Sequence, residues 1–156
     1  MVAEIEEALS EADPENADTY AANAASVSEK LDALVAEITP QLEPYKGKGF
    51  IVFHDAYQYF ENRFGVSAVG SITVSPEVLP GAERIAEIQA KLKDQQASCV
   101  FAEPQFEPKL VATVIEGTDA KSGVIDPHGA AIDAGADHYF ETSRAMATSI
   151  QTCLSD

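Results

Sequence analysis

The feature that most constrains the fold is an alternation, from Lys46 onward, of short apolar runs with segments of helical periodicity. The apolar runs are "GFIVFHD", "VSAVGSITV", "SCVFAEP" and "SGVIDP". The helical segments are "AYQYFENRF", "PEVLPGAERIAEIQAKLKDQQ", "PKLVATVIEGT" and the closing "ADHYFETSRAMATSIQTCLSD". Short runs that are apolar throughout fit strands covered on both faces, and their alternation with helices is typical of a parallel sheet. The sequence therefore predicts an α/β fold: a parallel four-stranded sheet with helices on both faces.

The first 45 residues are predicted to be helical. "VAEIEEALSEA" is expected to end before Asp13-Pro14, because the residue before a proline is driven out of the helical region. A second pattern repeats apolar residues every three or four positions from Tyr20 to Leu42, and we expect Pro40 to break it. This long helix is either an ordinary packing helix or a spacer between two domains. We divide the chain into a helical segment, residues 1–45, and an α/β domain, residues 46–156.

Three residues are expected to begin or end helices of the α/β domain, and a fourth is expected to bend a strand. Gly65 ends the helix "AYQYFENRF", and Gly70 is a bend in the strand "VSAVGSITV". Ser75 caps the helix that follows it, and Asp55 caps the helix that begins near Ala56.

Charge and hydropathy narrow the range of partners. The chain has 26 acidic and 10 basic side chains, a formal net charge of −16. Such a chain repels nucleic-acid phosphates and anionic lipid, and it attracts cations, although acidity also serves solubility. No apolar run approaches the roughly 20 residues that span a bilayer. The acidic start "MVAEIEEALSEADPENAD" lacks the basic and apolar regions of a signal peptide, so no export signal is expected in this sequence.

The two cysteines leave two alternatives open. Cys99 opens the apolar run "CVFAEP", and Cys153 lies near the end of the closing helix. They are either two buried free thiols or a disulfide that joins a core strand to the last helix. A disulfide would imply an oxidising compartment, which conflicts with the missing signal peptide unless the sequence is a piece of an exported protein.

Ionisable side chains stand at the carboxyl ends of three predicted strands. His54, Glu103 and Asp126 follow the first, third and fourth apolar runs. Ligands of open α/β sheets bind outside the carboxyl ends of the strands, so these residues are candidates to face one crevice. Each also has an ordinary interpretation, as a solvated histidine or as a turn or cap residue. His128 and His138 lie beyond the last strand and are expected to be exposed.

Enzymatic motifs are scarce. The sequence contains no G-x-S-x-G, P-loop, H-E-x-x-H or C-x-x-C. A small α/β enzyme that uses His54 and Glu103 as base and acid is an alternative, but no nucleophile or cofactor motif supports it. Cys99 suits packing in a strand better than nucleophilic attack. A structural interaction domain that exposes the stripe of the long helix is a third interpretation.

Four segments carry a specific resemblance: "GKGFIVFHDAYQYFENRFGV", "SPEVLPGAERIAEIQAKL", "CVFAEPQFEP" and "VIDPHG". From about Leu31 to the end, the sequence resembles the C-terminal half of the periplasmic zinc-binding (ZnuA-like) solute-binding proteins of ABC transporters. In that family one long helix joins two (β/α) lobes, and zinc lies between them. The resemblance implies that residues 15–42 form much of the interlobe helix. It also implies a periplasmic protein that is not an enzyme, captures Zn(II) and delivers it to a membrane ABC permease.

The resemblance also implies roles for individual residues. The family's "FHDAY" histidine is a zinc ligand and falls on His54, and its "DPxG" aspartate, which can complete the metal site, falls on Asp126. Members commonly carry a disulfide between positions that are here Cys99 and Cys153. His128 stands where relatives often have leucine and could act as an extra ligand. The imidazole at position 54 favours Zn(II), since related manganese-binding proteins place a carboxylate there; a manganese-binding member of the same family is the alternative.

The sequence also departs from the family pattern. The family's other two ligand histidines belong to the N-terminal lobe and the start of the interlobe helix, before the first residue of this sequence. The resemblance therefore implies a fragment with an incomplete Zn(II) site, whereas structural zinc normally takes four ligands. We expect weak zinc binding by this chain, the missing N-terminal lobe as a partner, and possible homodimerisation through the exposed interlobe surface. Nucleic acid is not an expected partner.

Overall fold

A computed structural model describes residues 1–73, 75, 80–94, 97–106 and 109–155. Within these residues the helices are α1 (Val2–Ala12), α2 (Ala17–Leu42), α3 (Gln58–Phe64), α4 (Ala82–Asp94), α5 (Lys109–Ile115) and α6 (His138–Leu154). The strands are β1 (Gly49–His54), β2 (Ser67–Thr73), β3 (Cys99–Ala102) and β4 (Lys121–Val124). Short 3-10 turns cover Pro14–Asn16 and Glu43–Tyr45. The chain divides into two compact units, Met1–Glu37 and Ile38–Asp156.

The first unit contains α1 and most of α2. Helix α1 ends at Ala12, as predicted, and the N–H of Asp13 donates to the Leu9 carbonyl at 2.9 Å. The Asp13 carboxylate then accepts hydrogen bonds from the Asn16 amide at 2.7 Å and from the Tyr20 hydroxyl at 2.8 Å. These two bonds lower the pKa of Asp13, and they fix the corner between the helices.

The expected break at Pro40 is wrong, because α2 continues through this proline to Leu42. A proline near the end of a helix removes only one backbone donor. The side chains of Ile38 and Leu42, on either side of it, are fully buried. We attribute the continuation of the helix to this burial, which outweighs the lost hydrogen bond.

The second unit is built on the predicted parallel sheet. Its four strands run in the order β2-β1-β3-β4, and every neighbouring pair is parallel. The register of β1 against β2 shifts between Phe50 and Ile51, which pair with Ala68 and Gly70. The irregularity therefore lies next to Gly70, where the sequence predicts a bend.

Helices cover both faces of the sheet, as predicted. Alternate residues of a strand point to opposite faces. One face packs against α4 and α5 through a buried apolar cluster composed of Ile51, Phe53, Ile72, Ile88, Leu92, Ala97, Val100, Ala102, Val111 and Val114. On the other face, Phe50 meets Phe101 edge-on, with ring centroids 5.5 Å apart.

A disulfide joins this second face to the last helix. Cys99 of β3 is bonded to Cys153 of α6, with 6.0 Å between the two Cα atoms. Gly123 of β4 lies beneath the bridge: a Cβ at this position would lie 3.1 Å from the Cys153 sulfur and closer still to the Phe101 ring. The disulfide implied by the family resemblance is therefore present, and a glycine makes room for it.

Two predicted caps are wrong. Helix α3 begins at Gln58 with Tyr57 in the cap position, and the exposed Asp55 instead accepts a hydrogen bond from the Gln58 side chain at 3.3 Å. Residues 80 and 81 are not helical, so α4 begins at Ala82 and Ser75 is not its cap. The first turn predicted at residues 76–79, and the predicted end of this helix at residues 95–96, lie outside the described residues.

Within the described ranges, no helix has the combination of length and apolar character that crossing a bilayer requires.

Candidate metal centre

The three ionisable residues predicted at strand ends lie along one edge of the sheet. His54 is the last residue of β1, Glu103 directly follows β3, and Asp126 comes two residues after β4. Because β1, β3 and β4 are parallel and adjacent, their carboxyl ends share this edge. We call it the carboxyl edge. The structure brings His54 and Glu103 into direct contact and connects Asp126 to the same segment through Gln105.

A buried carboxylate holds the histidine. The Nδ1 atom of His54 lies 2.7 Å from Oε1 of Glu103, and the Tyr57 hydroxyl donates to the same oxygen at 2.9 Å. Glu103 is only 3% exposed and Tyr57 only 4% exposed. Burial, followed by the negative charge of Glu103 and the hydrogen bond to it, raises the pKa of Tyr57 strongly. The phenol therefore stays protonated and acts as a donor to Glu103.

Aromatic packing keeps the imidazole at the edge instead of inside the core. Phe53 stacks on Phe106 with centroids 4.6 Å apart, and the Phe106 ring meets His54 edge-on at 6.1 Å. The His54 side chain remains 21% exposed. Among the described residues, no hydrogen-bond partner is found for its Nε2 atom. One ring nitrogen is thus held by Glu103, and the other has no partner among the described residues.

The Asp126 carboxylate is held mainly by the backbone of the loop that begins with it. Its oxygens accept hydrogen bonds from the N–H of His128 at 3.0 Å and the N–H of Ala130 at 2.6 Å. The side-chain amide of Gln105 adds a third bond at 2.9 Å. Burial works to raise the pKa of Asp126, but the bonds from Gln105 and from the backbone outweigh it and lower the pKa. Asp126 is therefore a carboxylate near neutral pH.

The remaining two histidines lie in and next to the same loop: His128 is within it, and His138 is the first residue of α6. His128 is exposed, as predicted, but His138 is partly buried, contrary to expectation. Its Nε2 atom lies 2.9 Å from the His128 carbonyl oxygen, and its Nδ1 atom lies 3.3 Å from the Asp133 carbonyl oxygen. Donation to the His128 carbonyl, and then to that of Asp133, raises the pKa of His138. This residue fixes the loop between β4 and α6.

Metal-ligating side chains are sparse on this edge. In the part of the chain that the structure describes, no group of three or more His, Cys, Asp or Glu residues is arranged to hold a metal ion. His54 offers an imidazole nitrogen and Asp126 a carboxylate oxygen, both of which zinc accepts. Glu103 is too deeply buried to offer a third.

The sequence did not predict two hydrogen-bond partners at this edge: Tyr57 as a partner of Glu103, and Gln105 as a partner of Asp126. Gln105 stands two positions after Glu103, just beyond a strand end, and this position was a usable signal. Tyr57 follows His54 by three residues, but nothing local indicates that it turns inward towards a carboxylate from another strand.

Comparison with known proteins settles the relationship. The family profile described as "Zinc-uptake complex component A periplasmic", ZnuA, matches residues 1–153. The chain belongs to the ZnuA family. A ZnuA relative, the high-affinity zinc uptake system protein of Brucella suis, is 57% identical over 155 residues, which are 99% of this chain and 46% of the relative. The family consists of periplasmic solute-binding proteins for transport and is not a family of enzymes.

Solved structures agree with the ZnuA assignment. A crystal structure of ZnuA superposes with a TM-score of 0.81 at 28% identity, over 97% of this chain and 54% of that one. A Zn(II)-bound variant of AdcAII from Streptococcus pneumoniae has a TM-score of 0.76 at 26% identity, over 96% and 55% of the two chains. The chain spans about half the length of the curated ZnuA relatives it matches.

Proposed function

We propose that this chain is the C-terminal half of a periplasmic zinc-binding protein that captures Zn(II) and delivers it to a membrane ABC permease. In this proposal His54 and Asp126 contribute ligands to the zinc site. The observation that carries it is the state of His54: a buried carboxylate holds Nδ1, and the side chain is 21% exposed at the carboxyl edge, with no partner for Nε2 among the described residues. The relatives' name, high-affinity zinc uptake system protein, supports zinc as the cargo.

The domain arrangement follows from the same proposal. Residues 1–45 include most of the interlobe helix, and residues 46–156 form the C-terminal lobe. The N-terminal lobe, which corresponds to the rest of the relatives' length, supplies the missing ligands. The coverage of about half of those relatives supports this division.

Zinc suits the proposed ligands better than manganese does. Imidazole is a preferred ligand of zinc, whereas manganese favours sites rich in carboxylate and carbonyl oxygens. Asp126 adds a single carboxylate, which zinc also accepts. The Zn(II)-bound state of the AdcAII neighbour is consistent with this choice.

The contact between His54 and Glu103 also resembles a catalytic acid–base pair, and its burial argues against that role. Glu103 is almost completely enclosed, and its Oε1 atom already has two partners, His54 and Tyr57. A general acid or base must reach the proton that it transfers to or from the substrate. We therefore propose that the pair positions a ligand and that the chain is not an enzyme.

Calorimetric titration of the 156-residue chain with a zinc salt tests the proposal. Structural sites with four ligands have about 10–16 kcal/mol of apparent binding free energy. With two ligands we expect roughly half of that, so the dissociation constant should lie above about 1 μM. The variant His54→Ala should lose this binding. The variant His128→Ala should retain it, because His128 is not a ligand in this proposal.

Three results would contradict the proposal. Zinc binding that is unaffected by His54→Ala would remove His54 from the site. Tight one-to-one binding that depends on His54 would show that the site in this chain is complete, against the expectation of a partial one. Loss of binding in His128→Ala would instead assign a ligand role to His128.

The missing lobe has a second consequence. We propose that the surface which faces it in the intact protein pairs with a second copy when the chain is alone. Size-exclusion chromatography with light scattering should detect a dimer, and a monomer at high concentration would exclude it. A net charge of −16 argues against nucleic acid as a partner.

A further inference from the structure

One short turn touches both candidate ligands of the carboxyl edge. It covers residues 103–106 and is closed by a hydrogen bond from the Phe106 N–H to the Glu103 carbonyl, at 3.1 Å. Within it, the Glu103 side chain contacts His54, and the Gln105 side chain contacts Asp126. We refer to these four residues as the 103–106 turn.

We propose that the 103–106 turn is a positioning element for the metal site, in which Glu103 sets the tautomer of His54 and Gln105 sets the orientation of the Asp126 carboxylate. The inference rests on the proposed function, because it assigns the partners that prepare two proposed zinc ligands. Glu103 and Gln105 do not bind the metal in this proposal. They are positioning residues that act through the ligands.

The direction of the hydrogen bonds determines the tautomer. A neutral imidazole carries its proton on one ring nitrogen and a lone pair on the other. The Tyr57 hydroxyl donates to Oε1 of Glu103, so this oxygen is an acceptor. The short contact from Nδ1 to the same oxygen then requires the proton on Nδ1. The lone pair is left on Nε2, the atom for which the described residues provide no partner.

Burial makes this arrangement rigid. Glu103 is enclosed at the end of β3, and the stack of Phe53 on Phe106 fixes the other end of the turn. Histidine ligands of metals almost always donate their second N–H to a carboxylate, a carbonyl or water, which fixes the ring and increases its basicity. Glu103 meets that requirement before any metal arrives.

Gln105 acts on the second ligand from the same turn. Its amide donates to the Asp126 oxygen that also accepts the N–H of His128. The other Asp126 oxygen has the N–H of Ala130 as its partner. Gln105 is exposed, and two backbone bonds remain without it, so we expect a smaller effect than at Glu103.

Long-range proton–nitrogen NMR of the 156-residue chain, at a pH where the imidazole is neutral, reads the tautomer of His54 directly. In the wild-type chain we expect the proton on Nδ1. In Glu103→Ala the proton should move to Nε2 in most molecules, because the acceptor is gone. Gln105→Ala is the matched control and should leave the His54 tautomer unchanged. If Glu103→Ala does not fold, the wild-type spectrum alone still tests the tautomer. A proton on Nε2 in the wild-type chain would overturn the proposal that Glu103 sets the tautomer of His54.

Zinc titration supplies the second measurement. Loss of an outer partner of a ligand typically costs 10–100-fold in metal affinity. We expect a loss of about this size in Glu103→Ala and a smaller loss in Gln105→Ala, together with a change in the carboxyl carbon signal of Asp126. A Gln105→Ala chain with wild-type affinity and an unchanged Asp126 signal would overturn the role of Gln105.

Failure of this inference is distinguishable from failure of the proposed function. If the wild-type chain binds no zinc, the proposed function fails, but the NMR spectra still decide whether Glu103 sets the tautomer. If zinc binds through His54 and the tautomer of His54 is the same with and without Glu103, the proposed zinc-binding function is supported. The positioning role of Glu103 is then contradicted.

Discussion

The two candidate ligands of the carboxyl edge are held by different means. His54 depends on two buried side chains, Glu103 and Tyr57, and Glu103 comes from a different strand. Asp126 depends mainly on the backbone amides of the loop that it begins, at His128 and Ala130. The first arrangement is set by side-chain chemistry in a dry environment, and the second by local backbone conformation in contact with solvent. Around His54, the largest losses of stability should therefore come from substitutions that remove a side-chain hydrogen bond. Around Asp126, they should come from substitutions that disturb the backbone conformation.

The largest loss of stability is expected from Glu103→Ala. Removal of this buried carboxylate leaves the Tyr57 hydroxyl and the His54 Nδ1 atom without their partner, in addition to a cavity. We expect the free energy of unfolding to fall by about 3 kcal/mol, measured by chemical denaturation. Asp55→Ala is the control: its carboxylate is exposed next to His54, so the change should stay within about 0.5 kcal/mol. Equal effects at the two positions would refute the contrast between buried and exposed carboxylates.

Around Asp126 the most damaging change should be Gly129→Ala. Gly129 has φ of 64°, and a Cβ there would collide with the Thr142 hydroxyl oxygen and lie 2.9 Å from the His138 Nε2 atom. Left-handed backbone and overpacking together should cost about 2 kcal/mol in the free energy of unfolding.

Gly135→Ala is the matched control for this loop. Apart from Gly135 itself and its two neighbours in the chain, the described residues place no atom within 4 Å of a Cβ built at this position, and its φ is not left-handed. Denaturation of this variant should give a stability equal to that of the wild type or slightly higher, because alanine reduces the freedom of the unfolded chain. If Gly129→Ala is as harmless as Gly135→Ala, the loop is not fixed by its backbone.

A smaller effect is expected from Tyr57→Phe, which removes one hydrogen bond to Glu103 and keeps the packing of the ring. Hydrogen bonds to charged groups contribute about 1.5–3 kcal/mol, and we expect the lower end because His54 remains as a partner. Tyr59→Phe is the control, since Tyr59 is 94% exposed and its change should be close to zero. A cost for Tyr57→Phe as small as that of Tyr59→Phe would mean that Glu103 does not need its second donor.

The sequence predicted the fold because the fold depends on hydrophobic pattern, which is local. The run from Phe50 to Phe53 has to be buried on both faces, and this requirement predicts a central strand wherever the rest of the chain lies. The same reasoning placed His54 and Glu103 on one edge of the sheet. It could not predict that they touch, since their contact depends on the adjacency of β1 and β3, which are joined only in three dimensions.

The wrong predictions at Pro40 and Asp55 relied on local residue preferences alone. Pro40 does not end its helix, because Ile38 and Leu42 are buried on either side of it. Asp55 was expected to cap a helix on propensity alone, but the chain makes a turn first, with the Ala56 N–H bonded to the His54 carbonyl at 3.1 Å. At Pro40, tertiary packing outweighs a local preference, whereas at Asp55 a local turn delays the start of the helix. The ligand roles of His54 and Asp126 remain predictions.

The smallest expected effect is a pH dependence that arises from His138. The carbonyls of His128 and Asp133, with the nearby carboxylates of Glu141 and Asp126, raise the pKa of His138 in the folded chain above its unfolded value of about 6.5. A raised pKa means that the protonated ring stabilises the fold. The contribution is complete below about pH 6.5 and is lost as the pH rises through the folded pKa.

Denaturation midpoints measured across this pH range, in the wild-type chain and in His138→Gln, isolate the contribution of this ring. The wild-type chain should lose slightly more stability than the variant as the pH rises, and the difference should stay small because His138 is only partly buried. His128→Gln is the control and should follow the wild type, since only the backbone carbonyl of His128 takes part. Parallel curves for all three chains would mean that the loop carrying Asp126 is held without His138, by the Asp126 carboxylate and the backbone at Gly129.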